Sequence, residues 1–139
     1  MFAKRTTPAE HLARHRLADL FLDTLPYNAH TTASDALWSG LPVLTLRGNT
    51  FAGSVAASLL NAVGLSELIA QTSEGYESLA IELATQPGKL AAIKNKLEKN
   101  RSTTPLFDTP LYTRHIEASY QAMFDRHQNG LPPDHICLS

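Results

Sequence analysis

Leu17–Asp35, LADLFLDTLPYNAHTTASD, is the stretch whose reading decides the fold. Leu17 to Asp23 is a mostly apolar run of strand length, the pattern of a strand covered on both faces in a parallel sheet. Pro26, Tyr27 and Asn28 supply a turn. Thr31 to Ser39 then reads as a helix closed by Gly40. Its start, His30-Thr31-Thr32, carries unpaired backbone N–H groups and the positive end of the helix dipole, a ready site for phosphate. Two threonine hydroxyls add donors, and Asp35 lies one turn further on, placed to accept from a ribose hydroxyl. An ordinary helix cap, with Thr31 or Thr32 satisfying backbone donors, fits the same residues.

Working outward, Thr7-Pro8 opens a short helix, PAEHLARHR, with Thr as cap and Pro at the first helical position. Leu41 to Leu46 (LPVLTL) is a second apolar strand, and Gly48 and Asn49 punctuate the loop after it. Ala52 to Val63 is a helix of small residues ended by Gly64, and Leu68 to Ala70 a third, very short strand. This β-α-β-α-β order predicts a parallel sheet. Beyond Thr72 the pattern turns helical: Tyr76 to Thr85 with Leu79, Ile81 and Leu83 as apolar positions, and Lys89 to Arg101 with Leu90, Ile93 and Leu97 on one face. After a break at Pro105 to Asp108, a last helix runs from Leu111 to His127. Residues 1–72 thus form the α/β part and 73–139 the helical part of a single domain. Phe2-Ala3 has the look of a strand tail, so the chain reads as the second half of a nucleotide-binding domain.

The 139 residues allow one domain with a real core. A 43% hydrophobic and 18% charged composition fits a soluble α/β protein. The net charge of −1 gives no basic footprint for nucleic acid. The single cysteine, Cys137, forms no internal disulfide and suits a reducing compartment. No apolar run approaches the roughly 18 residues of a membrane span, and the N-terminus has no signal-peptide core. A cytoplasmic protein is expected.

His11 and Arg14, three apart on the first helix, share a face and would present a ring and a guanidinium to a base; a solvated basic face fits them as well. His11 and His15, four apart, have metal-pair spacing, but no third ligand or HExxH pattern accompanies them, and no metal is expected. Gly48-Asn49-Thr50 offers a backbone approach to a ligand or simply a turn. Trp38 and its neighbouring leucines read as core, and Lys94, Lys96, Lys99 and Arg101 as a solvated face. There is no Ser/His/Asp or Cys/His nucleophile arrangement and no Gly-rich P-loop.

The run HLARHRLADLFLDTLPYNAHTTASDALWSGLPVLT closely resembles the C-terminal catalytic lobe of the O-linked N-acetylglucosamine transferase and SPINDLY family, glycosyltransferase family 41. The similarity continues through GNTFAGSVAASLLNAVGLSELIA, TTPLFDT and Pro133-Asp134-His135, and the HxxR then HTTxxD pairing at this separation is specific to the family. The resemblance implies a GT-B fold, two Rossmann-like lobes with the nucleotide-sugar between them, usually behind a helical repeat array that presents protein acceptors. It implies inverting transfer of a sugar, N-acetylglucosamine from UDP, to Ser or Thr hydroxyls. His11 and Arg14 would face the uracil, His30, Thr31 and Thr32 would hold the diphosphate, and Asp35 the ribose, with no metal. SPINDLY relatives imply a GDP-sugar as the alternative donor. The chain departs from the family at Pro8, where a nucleotide-holding lysine is usual, at Arg47-Gly48 in place of Pro-Gly, and at Ser54 in place of arginine. The first lobe, and a lysine for the leaving phosphate at the start of the second, have no counterpart in these 139 residues.

The expectation is therefore a partial Rossmann-like α/β domain, the C-terminal part of a GT-B glycosyltransferase lobe, inactive alone. Its expected partners are a nucleotide-sugar, a protein acceptor in the parent enzyme, and the missing lobe or a second copy at its open sheet edge. A non-catalytic module that binds nucleotide or self-associates is the alternative.

Overall fold

A computed structural model describes residues 4–137. The expected strand tail at Phe2-Ala3 lies outside them. The chain divides into two compact units, one up to Leu106 and one from Phe107 on.

The first unit is built on three parallel strands in the order β1-β2-β3: β1 (Phe21–Leu22), β2 (Val43–Leu46) and β3 (Ile69–Ala70). Phe21 pairs with Val43 and Leu22 with Leu44; on the other side Thr45 pairs with Ile69 and Leu46 with Ala70. The helices of this unit are α1 (Pro8–Arg14), α2 (Thr31–Trp38), α3 (Val55–Ala62), α4 (Ser73–Thr85) and α5 (Pro87–Arg101); α2, α3 and α4 pack on the sheet and α5 packs on α2 and α4. The expected α/β class and parallel order hold. The core is aliphatic: Ala33, Leu37, Val43, Leu44, Leu60, Leu65, Leu68, Leu83 and Leu97 are buried.

Two expectations are corrected. The strand expected from Leu17 to Asp23 is limited to Phe21–Leu22, because the chain leaving α1 makes a turn of 3₁₀ helix over His15–Leu17. Leu17 is 87% exposed, and Asp19 faces outward to meet the Lys94 ammonium at 2.8 Å. Trp38 is not core: it lies half exposed at the end of α2, with the Arg101 guanidinium 5.8 Å from its ring centroid. Arg101 also donates to the Trp38 carbonyl. The basic face of α5 is thus tied down at several points, Lys96 reaching Glu67 at 2.6 Å.

The chain ends α2 as the glycine predicted. Gly40 takes φ +85°, a region closed to most side chains, and the Leu41 N–H reaches back to the Ala36 carbonyl at 2.9 Å. This turn delivers the chain straight into β2.

The second unit is a long helix, α6 (Thr109–Gln128), opened by the Asp108 carboxylate accepting from the Leu111 N–H at 2.9 Å. In its last turn the Arg126 guanidinium donates to the Pro132 carbonyl at 2.7 Å and lies 3.6 Å from Asp134. Among the described residues no helix is long and apolar enough to cross a membrane.

The corrected strand boundary has a measurable consequence. Leu44→Ala, in the fully buried centre of β2, is expected to cost about 2–5 kcal/mol of stability. Leu17→Ala is expected to stay within about 0.5 kcal/mol. Chemical denaturation midpoints of the two variants check both.

Candidate functional site

The loops leaving β1 and β2 at their carboxyl ends meet at the start of α2, which is where ligands bind in open α/β sheets. The Asn28 N–H donates to the Ala52 carbonyl at 2.9 Å, and the Gly48 N–H to the Gly53 carbonyl at 2.6 Å. A Cβ at Gly53 would stand 3.0 Å from the Pro26 carbonyl oxygen. That contact is with backbone, so any side chain here would push the two loops apart by a few tenths of an ångström.

His30 is the residue before α2. Its ring stacks on Tyr27 with centroids 5.0 Å apart and meets Phe51 edge-on at 6.2 Å. Its Nε2 lies 3.5 Å from the Ala52 carbonyl. No side chain caps the helix. The threonine-cap reading is therefore not what the structure shows: both hydroxyls are exposed and make no hydrogen bond with the described residues. The Thr31, Thr32 and Ala33 N–H groups likewise have no acceptor among the described residues. The first turn of α2 presents the Thr31 and Thr32 amide donors and both hydroxyls to the outside, while Ala33 is buried.

Asp35, one turn on, faces α1. Its Oδ2 is 3.6 Å from His11 Nε2, so residues 24 apart in the chain share one site. Asp35 Oδ1 has no partner among the described residues. Arg14 is turned toward the chain preceding α1 and donates to the Lys4 carbonyl at 3.2 Å. His11 also meets the His15 ring edge-on at 4.8 Å, while His15 Nδ1 lies 3.0 Å from the His11 carbonyl. Among the described residues no three His, Cys, Asp or Glu side chains gather as a metal site.

Helix α1 is short, and its start is correspondingly well capped. The Thr7 hydroxyl accepts from the Glu10 N–H, and the Glu10 carboxylate accepts from the Thr7 N–H at 3.1 Å, a capping box. Glu10 also accepts from the Thr6 hydroxyl. These bonds, that from Thr6 foremost, hold the Glu10 carboxyl below its ordinary value.

Sequence reading missed a layer of residues behind the site. Asp23, only 5% exposed, ends β1. Its Oδ1 accepts from the Thr24 N–H at 2.8 Å and the Ala29 N–H at 2.7 Å, and its Oδ2 from the Thr45 hydroxyl at 2.6 Å. The Tyr76 hydroxyl donates to the Asp23 carbonyl at 3.0 Å. Burial, and then the Asp23 charge, raise the Tyr76 phenol above its ordinary value. The signal was there as two polar residues, Asp23 and Thr45, within otherwise apolar strand runs. Beside the loops, a polar cleft of about 540 Å³ opens between Arg47, Asn49, Phe51, Ser54 and Gln71. Gly48 lines it while packing on Gly53, so it closes the loop after β2 on itself.

Residues 1–116 match the family model for glycosyl transferase family 41. The chain belongs to this family. It is 38% identical over 136 residues to the UDP-N-acetylglucosamine–peptide N-acetylglucosaminyltransferase of Caenorhabditis elegans. It is 40% identical over 137 residues to the probable enzyme of that name, SEC, of Arabidopsis thaliana. Each match covers 98% of the chain, but only 12% of the worm protein and 14% of the plant protein. A probable SPINDLY enzyme of Hordeum vulgare is 36% identical over 124 residues, 89% of this chain and 13% of its own. Among solved structures, a mutant O-GlcNAc transferase of Thermobaculum terrenum superposes with a TM-score of 0.83 at 36% identity. That match covers 90% of this chain and 24% of the other. The fold is therefore the α/β fold of part of a GT-B glycosyltransferase, as the family resemblance implied.

Helix α1 should be sensitive to acid. A carboxyl whose folded value is depressed contributes stability that is complete above its unfolded value and is lost as pH falls through the folded one. Lowering the pH below the ordinary glutamate value of 4.5 is expected to fray residues 8–14 before the sheet unfolds. Glu10→Gln, which can still accept from the Thr7 N–H, should remove the acid sensitivity of this helix. Backbone amide shifts followed over a pH titration check both.

Proposed function

We propose that this chain supplies the nucleotide-holding side of a family 41 glycosyltransferase site. The parent reaction would transfer N-acetylglucosamine from UDP to protein Ser or Thr hydroxyls. The observation that carries this reading is the start of α2: the exposed, unpaired amides and hydroxyls of Thr31 and Thr32, with the Asp35–His11 pair one turn away. The diphosphate would lie on Thr31 and Thr32, where the helix dipole and hydroxyls stabilise charge developing on the leaving group. Asp35 Oδ1 would accept from a ribose hydroxyl. His11, and Arg14 once released from the Lys4 carbonyl, would face the uracil. His30, held between Tyr27 and Phe51, would border the sugar-phosphate. Donors on this scale would hold the diphosphate without a metal ion. The names of the relatives support UDP-N-acetylglucosamine as donor and a peptide as acceptor. A GDP-sugar is the alternative donor.

The 139 residues would bind but not turn over, because inverting transfer needs an acceptor and leaving-group contacts held in register from both sides of the donor. The rest of such an enzyme would come from sequence that the relatives have outside the matched segment. A second reading, self-association, rests on one observation. β1 is an edge strand whose Leu22 is 55% exposed, and its outer edge is unpaired among the described residues. A strictly monomeric species in ultracentrifugation at high concentration would remove this reading.

Calorimetric titration with UDP, with GDP as control, tests the main proposal. Saturable UDP binding is expected, weakened on the order of 100-fold or more in Thr31→Ala/Thr32→Ala, since two hydrogen bonds to a charged group are lost. Absence of binding by the folded chain, or binding untouched by the double substitution, would refute it. Incubation of the pure chain with UDP-N-acetylglucosamine and an acceptor peptide is expected to give no transfer.

A further inference from the structure

We infer that Asp23 is a positioning residue for the phosphate-facing start of α2, an inference that rests on the nucleotide-site reading above. A carboxylate this deeply buried is costly unless each oxygen finds donors. Asp23 satisfies both, and its donors come from two separate parts of the structure. Thr45, fully buried on the central strand β2, donates to Oδ2 at 2.6 Å. Ala29, the residue before His30, donates its N–H to Oδ1 at 2.7 Å. One carboxylate therefore fastens the approach to α2 directly to the sheet. Its own backbone is fixed as well, the N–H on the Leu44 carbonyl at 3.0 Å and the carbonyl on the Tyr76 hydroxyl at 3.0 Å.

What Asp23 fixes is the exit direction of the chain. Between Asp23 and His30 the loop holds itself by the Thr24 hydroxyl on the Tyr27 carbonyl at 2.7 Å and Asn28 Nδ2 on the Thr24 carbonyl at 3.2 Å. Its far end is set by Ala29 on Asp23, and His30 leaves that point at φ −104°, ψ −90°, outside the helical region. This backbone aims the free N–H groups of Thr31 and Thr32 outward and lays the His30 ring on Tyr27. Release of Ala29 would let the first turn of α2 and the His30 ring shift together, and contacts to a ligand fall off steeply with such displacements. The carboxylate is enclosed by protein donors, so Asp23 acts through Ala29 and His30 without touching the nucleotide.

The test compares the 139-residue chain with its Asp23→Ala, Asp23→Asn and Thr45→Val variants. Asparagine can keep an oxygen toward Thr24 and Ala29 and turn its NH₂ to the Thr45 hydroxyl, which then accepts. It should rescue what alanine loses. In the ligand-free chain, the His30 ring protons are expected to lose their Tyr27 ring-current shift in Asp23→Ala and to keep it in Asp23→Asn. Thr45→Val should move them in the same direction by less, and decides the matter if Asp23→Ala does not fold. UDP affinity should fall roughly tenfold or more in Asp23→Ala, as the displaced start of α2 loses its aim on the diphosphate, and recover in Asp23→Asn. Unmoved His30 resonances in both Asp23→Ala and Thr45→Val, or equal damage from alanine and asparagine, would overturn the inference. Failure of the native chain to bind UDP would overturn the nucleotide reading instead, and the His30 resonances would still decide the role of Asp23.

Discussion

The hydrogen bonds that gather on Asp23 join what would otherwise be separate pieces. β1 has only two residues, too few to fix the loop that follows by strand pairing alone. The carboxylate at its end reaches both the central strand and the residue before His30, and the Tyr76 hydroxyl ties the same residue to α4. With the loop held in this way, Ala52 and Gly53 can close on it from the neighbouring loop, backbone against backbone. Buried polar clusters stabilise a unique arrangement only when every member is satisfied. Both oxygens of the Asp23 carboxylate are satisfied, whereas the Oδ1 of buried Asn28 in the loop it holds has no partner among the described residues.

From this base the first turn of α2 projects with donors to spare. Most helices satisfy their first N–H groups with a side-chain cap, as α1 does through Thr7 and Glu10 and α4 through Thr72. α2 does not, although two threonines stand at its start, and α3 and α5 likewise open without a side-chain cap. An uncapped helix start beside the carboxyl ends of parallel strands is what an anionic ligand would complete.

Much of this was legible in the sequence because it is written in local chemistry. Thr7-Pro8, Gly40 and Gly64 mark helix ends that the structure reproduces within a few residues. The order of strands and helices follows from apolar runs separated by turns. What was illegible depended on distant partners. Leu17 has the side chain of a strand residue, but the 3₁₀ turn leaving α1 carries it into solvent. Trp38 has the side chain of a core residue, yet the tight turn at Gly40 and the arrival of Arg101 leave it on the surface. The closeness of His11 to Asp35 and the convergence on Asp23 are tertiary facts. Spacing along one helix could group His11 with Arg14, but it could not reveal that Arg14 turns to Lys4 while His11 turns to Asp35.

The central claim is that the start of α2 is where a nucleotide diphosphate sits. A crystal structure of the chain with bound UDP tests it most directly. The predicted density has diphosphate oxygens over the Thr31 and Thr32 N–H and hydroxyl groups, ribose at Asp35 and uracil beside His11. A nucleotide lodged instead in the cleft between Arg47 and Gln71, with the first turn of α2 facing only solvent, would contradict it.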